Sequence, residues 1–334
     1  LAAFELHPDV DLRVMQAGQH PTDLLSRLLA ALRPVLDELR PDVLLVQGDT
    51  TTVLAGALAG YLQGVRVGHV EAGLRTHDKR APFPEEINRR VAGVVADDHF
   101  APTAQARANL LAEGVDPQRI FLTGNTIVDA LHWMRARVTD RPLPPALDPG
   151  AVRLVLVTAH RRESFGPPFR ELCAALRDIA TRHTDVCLIY PVHLNPRVRG
   201  TVHEVLAGCP RVRLVDPLDY ATFVALLVRA HLVLTDSGGI QEEAPALGKP
   251  VLVLREKTER PEAVAAGVVK LVGTDRARIV AEADALLTDA AAYAAMARPT
   301  CIYGDGRAAA RIGEVIVTGQ MSTPPFEPSV SSPQ

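Results

Sequence analysis

The residues best able to do chemistry gather in one segment, Asp236–Pro250 (DSGGIQEEAPALGKP), and at four upstream positions, Asp49, Glu71, Glu85 and His160. The run His231–Thr235 just before the segment is short, apolar and bounded by turn residues, which predicts a parallel strand covered on both faces. Ser237, Gly238 and Gly239 follow at its carboxyl end. Glycines there let the backbone approach a ligand, and a helix starting there would turn unpaired N–H groups and a positive dipole end towards an anion. That composition suits a phosphate seat or an ordinary strand-to-helix turn, and these residues alone leave both open. Glu242 and Glu243 fall in the first turns of the helix, where either carboxylate could accept hydrogen bonds from sugar hydroxyls.

Asp49 lies in GDTTT after an apolar run, Glu71 in HVEAGLR after another, and Glu85 at the start of the helix signalled by PEEINRR. One carboxylate at a strand end often only caps the next helix, and Asp49 alone could be such a cap. Three in one cleft, facing a phosphate seat, are harder to dismiss as caps. His160, beside Arg161 and Arg162, has the makeup to bind a diphosphate or protonate a leaving group, or it sits in an exposed basic turn. His193, in PVHLNP, admits a similar plain reading as a turn histidine. Gly304–Ala309 (GDGRAA) fits a dinucleotide fingerprint, yet it opens the last helix with no βαβ unit after it, so the match is set aside.

These positions need strands and helices to hold them. Strands are predicted at 11–15, 43–46, 65–70, 99–101 and 120–122, with an amphipathic helix from Thr22 that kinks at Pro34. Four prolines between Arg141 and Gly150 mark a linker. Beyond it the rhythm restarts with strands at 154–157, 186–190, 212–215, 232–235 and 251–254, and a helix burying Leu172, Leu176 and Ile179. The expected architecture is α/β: two Rossmann-like doubly wound domains, 1–148 (incomplete at its start) and 151–302, facing a central cleft onto which the strand tails converge. A helix at 303–317 could cross back to the first domain. The Ser- and Pro-rich stretch 318–334 is expected to be disordered.

Composition excludes several classes. The 334 residues are 47% hydrophobic and carry a formal net charge of −3, from 36 basic and 39 acidic side chains. A nucleic-acid binder would show a basic excess. No apolar run is long enough to span a bilayer, so a cytoplasmic protein is expected. Four scattered cysteines suggest neither a zinc site nor a disulfide framework.

Taken in order, GDTTT, HVEAGLRT, PEEINR, TGNT, HRRESFG, YPVHLNP, DSGGIQEEAP, GKPVLVLR and TERPEA resemble the bacterial non-hydrolysing UDP-N-acetylglucosamine 2-epimerases, from about residue 10 to 313. The resemblance implies the GT-B architecture, a homodimer, and interconversion of UDP-N-acetylglucosamine and UDP-N-acetylmannosamine for cell-envelope polysaccharides. It further implies catalytic roles for Asp49, Glu71, Glu85 and His160. Ser237, Gly238, Gly239, Glu243 and Arg260 match positions that hold UDP, and Phe223 one beside the uracil. Gln19 and His193 match an activating UDP-N-acetylglucosamine site. Leu218 departs from a glutamine that relatives often carry near the uracil. The family also normally begins with a strand, a G-T-R-P-E loop, a helix and a second strand, roughly 40 to 60 residues by ordinary βαβ lengths. None of it is present here, so a fragment or truncated gene model is expected, whose own activity is in doubt.

The C2 proton of the sugar has no adjacent carbonyl, so its direct abstraction at neutral pH would be very difficult. Anti elimination of UDP to a glycal, followed by re-addition with protonation on the other face, inverts C2. This route needs an acid/base on each face and a clamp for the departing diphosphate, and it requires neither nicotinamide nor metal. The alternatives are a relative that hydrolyses off UDP, an epimerase of a modified UDP-sugar, and a nucleotide-sugar-binding protein without turnover.

Overall fold

The computed structural model describes residues 2–16 and 18–330 and divides into two compact units. The first comprises Leu1–Asp129 with Tyr303–Glu327, and the second Ala130–Ile302 with Pro328–Gln334.

In the first unit α1 (Pro21–Leu39), β1 (Val43–Gln47), α2 (Thr51–Leu62), β2 (Arg66–Val70), α3 (Glu85–Val95), β3 (Asp98–Ala101), α4 (Ala104–Ala112) and β4 (Ile120–Leu122) alternate, and α5 (Thr126–Val138) follows. Pro34 lies inside α1. Among the described residues the strands form one parallel sheet in the order β1-β2-β3-β4, so the chain advances in one direction only. Its core is in separate patches, one around Val46, Val53, Val67 and Ala92 and another around Leu74, Ala106, Leu110 and Ile120.

The second unit contains β5 (Arg153–Thr158), α6 (Pro167–Arg182), β6 (Val186–Pro191), α7 (Pro196–Leu206), β7 (Val212–Val215), α8 (Tyr220–Arg229), β8 (Ala230–Thr235), α9 (Ile240–Ala246), β9 (Val251–Val253), α10 (Pro261–Ala265), β10 (Val269–Leu271), α11 (Arg276–Thr288), α12 (Ala290–Met296) and β11 (Thr300–Cys301). Its parallel sheet runs β10-β9-β8-β5-β6-β7. The order reverses between β5 and β8, which is where a doubly wound sheet opens a ligand crevice at its carboxyl edge. α6 buries Phe169, Leu172, Leu176 and Ile179 in a continuous core with β5, β6 and β8. At about 1.5–3 kcal/mol for each large apolar side chain, these four alone contribute several kcal/mol.

The division falls inside α5, ahead of the proline-rich linker. The linker is tied to the second unit: the Arg229 guanidinium donates to the Arg141 carbonyl (2.7 Å), and Arg213 donates to those of Ala146 (3.2 Å) and Asp148 (2.6 Å). Helix α13 (Ala308–Thr318) packs in the first unit, Ile312 and Val315 meeting Val70 and Phe100.

Two expectations fail. Residues 11–15 form no strand: among the described residues none pairs with their backbone as a strand, and Arg13 adopts a left-handed φ of 48°. Residues 318–330 are ordered, while 331–334 lie outside the described residues. Phe326 is buried and its N–H donates to the Leu122 carbonyl (3.0 Å). The Glu314 carboxylate accepts from the Ser322 (2.9 Å) and Thr323 (3.0 Å) amides, and β12 (Ser329–Val330) pairs antiparallel with β11. A single aromatic anchor in a Ser/Pro run leaves no periodicity to read.

Candidate active site

In the first unit two of the predicted carboxylates stand at the carboxyl ends of adjacent strands. Gln47 of β1 is in register with Val70 of β2, and the Gly48 N–H donates to the Val70 carbonyl (3.0 Å), so Asp49 and Glu71 leave the sheet side by side. A Cβ built on Gly48 would lie 3.4 Å from Glu71 Oε2. Glu71 has φ 66°, a left-handed conformation uncommon for a residue with a side chain and often found at functional sites. The Asn125 amide donates to its Oε1 (3.4 Å). Two residues on, Gly73 has φ 90°, and a Cβ there would meet the Ala106 carbonyl oxygen at 2.2 Å. Only glycine fits that turn.

Asp49 is not the helix cap. Thr50 caps α2 through its hydroxyl (3.4 Å to the Val53 N–H), while the Asp49 carboxylate takes Arg89 Nη2 at 2.5 Å. Asn88 donates to the Asp49 carbonyl (2.9 Å), which fixes the turn from α3. Glu85 opens α3 one turn before Asn88 and is half-buried. Its neighbour Glu86 is fully buried, accepting from the amides of Thr76 (3.1 Å) and His77 (3.0 Å). Beneath the turn, His69 donates from Nε2 to the Gly48 carbonyl (2.8 Å). Burial lowers its imidazole to about 4, so it is neutral near pH 7.

In the second unit the strand-order reversal gathers another set. The Asp236 N–H donates to the Thr158 carbonyl (3.0 Å), and the buried Asp236 carboxylate accepts the backbone amides of His160 (2.5 Å) and Arg161 (2.7 Å). This locks the tail of β5 onto that of β8. His160 Nδ1 lies 3.4 Å from Asp236 Oδ1, and its ring stacks on His193 at 5.1 Å. Burial lowers the His160 imidazole against the opposing pull of Asp236. His193 is exposed, its Nδ1 accepting from the Asn195 amide (3.0 Å).

Ser237, Gly238 and Gly239 lead into α9, which is only 7 residues long. Gly238 is required by its neighbour: a Cβ would lie 2.5 Å from Arg260 Nη1 and 2.8 Å from Glu259 Oε1. Arg260 is buried and bonds the Glu242 (2.5 Å) and Glu259 carboxylates. The ionic chain continues from Glu259 to Arg255 (3.1 Å) and on to Glu163 (2.9 Å), joining the loop after β5 to α9. Arg260 thus shapes the floor under Gly238 as well as being charged. Glu243 accepts from the Tyr220 hydroxyl (2.6 Å), and burial raises its carboxyl to about 7. Phe223 lies one turn along α8 from Tyr220.

Gln19 belongs to the first unit, where its Oε1 accepts from Arg27 (2.5 Å) and the Gln16 amide (3.0 Å). The Gly304–Ala309 segment is tied into the fold. Arg311 pairs with Asp305 (2.7 Å), and Asp129 caps the Ala309 N–H (2.9 Å).

Sequence reasoning assigned no role to Asp236, Tyr220, Glu163, Arg255 or Glu259. Asp236 had a signal, an acid at the end of a buried strand, whereas the others meet only through tertiary contacts.

A family model described as UDP-N-acetylglucosamine 2-epimerase matches residues 1–317. The chain belongs to that family. It is 53% identical to the UDP-N-acetylglucosamine 2-epimerase of Escherichia coli K12 over 330 residues, covering 96% of this chain and 88% of that protein. It is similar to the crystal structure of the Neisseria meningitidis UDP-GlcNAc 2-epimerase bound to UDP-GlcNAc, with TM-score 0.91 and 39% identity over 95% of this chain and 87% of that one. A Staphylococcus aureus MnaA–UDP structure matches with TM-score 0.88 and 42% identity over 94% and 84%. Family membership accounts for two Rossmann-like halves on one chain, each with polar residues at the carboxyl edge of its sheet.

Proposed function

We propose that this chain inverts C2 of the sugar in UDP-N-acetylglucosamine to give UDP-N-acetylmannosamine, by anti elimination and re-addition of UDP. The observation that carries the reading is the pair Asp49 and Glu71, emerging together from adjacent strand ends with neither spent on capping a helix. With Glu85 they supply the proton acceptor and donor that removal and return of the C2 hydrogen require. His160 acts on the departing diphosphate. Burial lowers its pKa, and the negative charge of a diphosphate beside it would favour the imidazolium, a donor to the leaving oxygen. Ser237 with Gly238 and Gly239 offers backbone to the phosphates, Glu243 accepts from the nucleoside hydroxyls, and Phe223 flanks the base. Arg260 contributes by holding the glycine turn and adding positive charge behind it. Gln19 and His193 are assigned to an activating sugar-nucleotide site, and the working unit to a homodimer.

The test is epimerisation in deuterated water. Elimination places solvent deuterium at C2 of the product, and retention of the original hydrogen would remove the mechanism. Release of free N-acetylmannosamine in the same assay would identify a hydrolysing enzyme instead.

A further inference from the structure

The amino-terminal ends of β5 and β8, at the edge of the second sheet opposite His160 and Asp236, border a separate cavity of about 510 Å³. That volume is in the range of small-molecule sites, about 300–1,000 Å³. Arg153, Arg229, His231, Lys249, Tyr293 and Asp148 line it. Its charges do not balance. Arg153 is matched by Asp185 (2.5 Å) and also donates to the Leu287 carbonyl (2.7 Å). Among the described residues Arg229 meets only carbonyls, those of Ala225 (2.9 Å), Arg141 (2.7 Å) and Thr139 (3.4 Å). Lys249 is half-buried and, among the described residues, has no carboxylate within salt-bridge distance. Burial lowers its pKa, and the charge of Arg135 adds to the effect. Against Arg229 and Lys249 in the lining stands Asp148, whose Oδ1 accepts from its own loop at Gly150 (2.9 Å).

The remaining wall is aromatic. His231 stacks face to face on Tyr293 (4.1 Å between centroids, 3° between planes), and the Tyr293 hydroxyl donates to the His231 carbonyl (3.2 Å). His231 Nε2 is buried without a hydrogen-bond partner among the described residues. Half-buried cations lacking a counter-charge are costly, and a bound anion removes that cost. We propose that this cavity is a second, non-catalytic ligand site for a phosphate-class dianion, free or carried on a small phosphomonoester, with Lys249 as its principal partner. Two of the carbonyls that Arg229 holds, those of Thr139 and Arg141, lie where the linker begins, so the anion would bind where that linker is fastened to the second unit.

The test is calorimetric titration of inorganic phosphate into the full chain at matched ionic strength, with UDP present so that a phosphate seat at the nucleotide site is occupied. Saturable uptake of one phosphate per chain is expected. Lys249→Gln should weaken it about tenfold, the loss of one charge-assisted contact. Lys249→Arg should retain it, and His160→Ala should leave it unchanged. Equal affinity in wild type and Lys249→Gln, or no uptake at millimolar phosphate, overturns the proposal. Loss of uptake in His160→Ala with retention in Lys249→Gln moves the phosphate to the nucleotide site and also overturns it. Titration of glucose 1-phosphate distinguishes the sources: tighter binding than phosphate assigns the site to an ester, equal binding to free phosphate.

Discussion

The two parallel sheets are built from the same βαβ unit and differ in how they end and turn. In the second, the order reverses between β5 and β8, both strands are paired on either side, and residues 154–157 and 232–235 are buried throughout. In the first, the described strands advance one way from β1 to β4, and β1 forms an edge whose Leu45 is 45% exposed. The reversal creates a crevice where two strand tails part, and it is there that Asp236 ties His160 to the glycine turn. In the first unit the carboxylates come from the tails of neighbouring strands, Asp49 after β1 and Glu71 after β2. On the proposed reading, the nucleotide-holding set and the acid/base set both sit at strand tails of the same repeated motif.

This division of labour can be broken most sharply at the carboxylates. Asp49→Asn, Glu71→Gln and Glu85→Gln, in a turnover-competent protein, are each expected to lower turnover by about 10²–10⁴-fold while UDP affinity by calorimetry changes little. Near-normal turnover in all three would mean that the first sheet does not carry the acid/base chemistry. The edge itself is tested by amide hydrogen exchange. Amides of β1 should exchange about a hundredfold or more faster than those of β5 and β8, because local opening at an unpaired edge costs less than global unfolding. Uniform protection across both sheets would erase the contrast.

Gly238→Ala sharpens the comparison from the other side. Its Cβ cannot coexist with Arg260 in place, so the second unit should lose about 1–3 kcal/mol in chemical denaturation and bind UDP more weakly. A stable variant with unchanged affinity would show that the turn yields easily. The smallest expected effect concerns Glu243. Its folded-state pKa, raised to about 7, lies above its ordinary value near 4.5, so the fold favours the protonated form. Stability from this group is therefore present below pH 4.5 and is lost as pH rises towards 7. Glu243→Gln should flatten the pH dependence of melting across that window, and an unaltered slope would refute the assignment.

Much of this arrangement is legible in one dimension. The strands carrying the site are apolar runs with turn residues at their ends, and the Ser237–Gly239 turn and the Asp49 and Glu71 positions follow from where those runs stop. The linker prolines are equally plain, though the arginines that fasten them to the second unit are not. The apolar-looking stretch at 11–15 misleads because a strand exists only with a partner. Residues 318–330 mislead in the opposite sense, since buried Phe326, the Glu314 hydrogen bonds and the β12 pairing anchor a run whose composition reads as disorder.

By itself the sequence determined the βαβ rhythm, the motif residues at the strand ends and the family they resemble, because period, turn chemistry and residue type are local properties. Only the tertiary structure decided that Thr50 rather than Asp49 caps α2, that Asp236 clasps the His160 loop, that Gly238 makes room for a paired Arg260, and that burial against Tyr220 lifts Glu243. The clasp joins residues 76 positions apart and the Arg260–Glu242 pair residues 18 apart, while the cap turns on which of two adjacent side chains faces the helix. Packing sets burial, and burial sets charge.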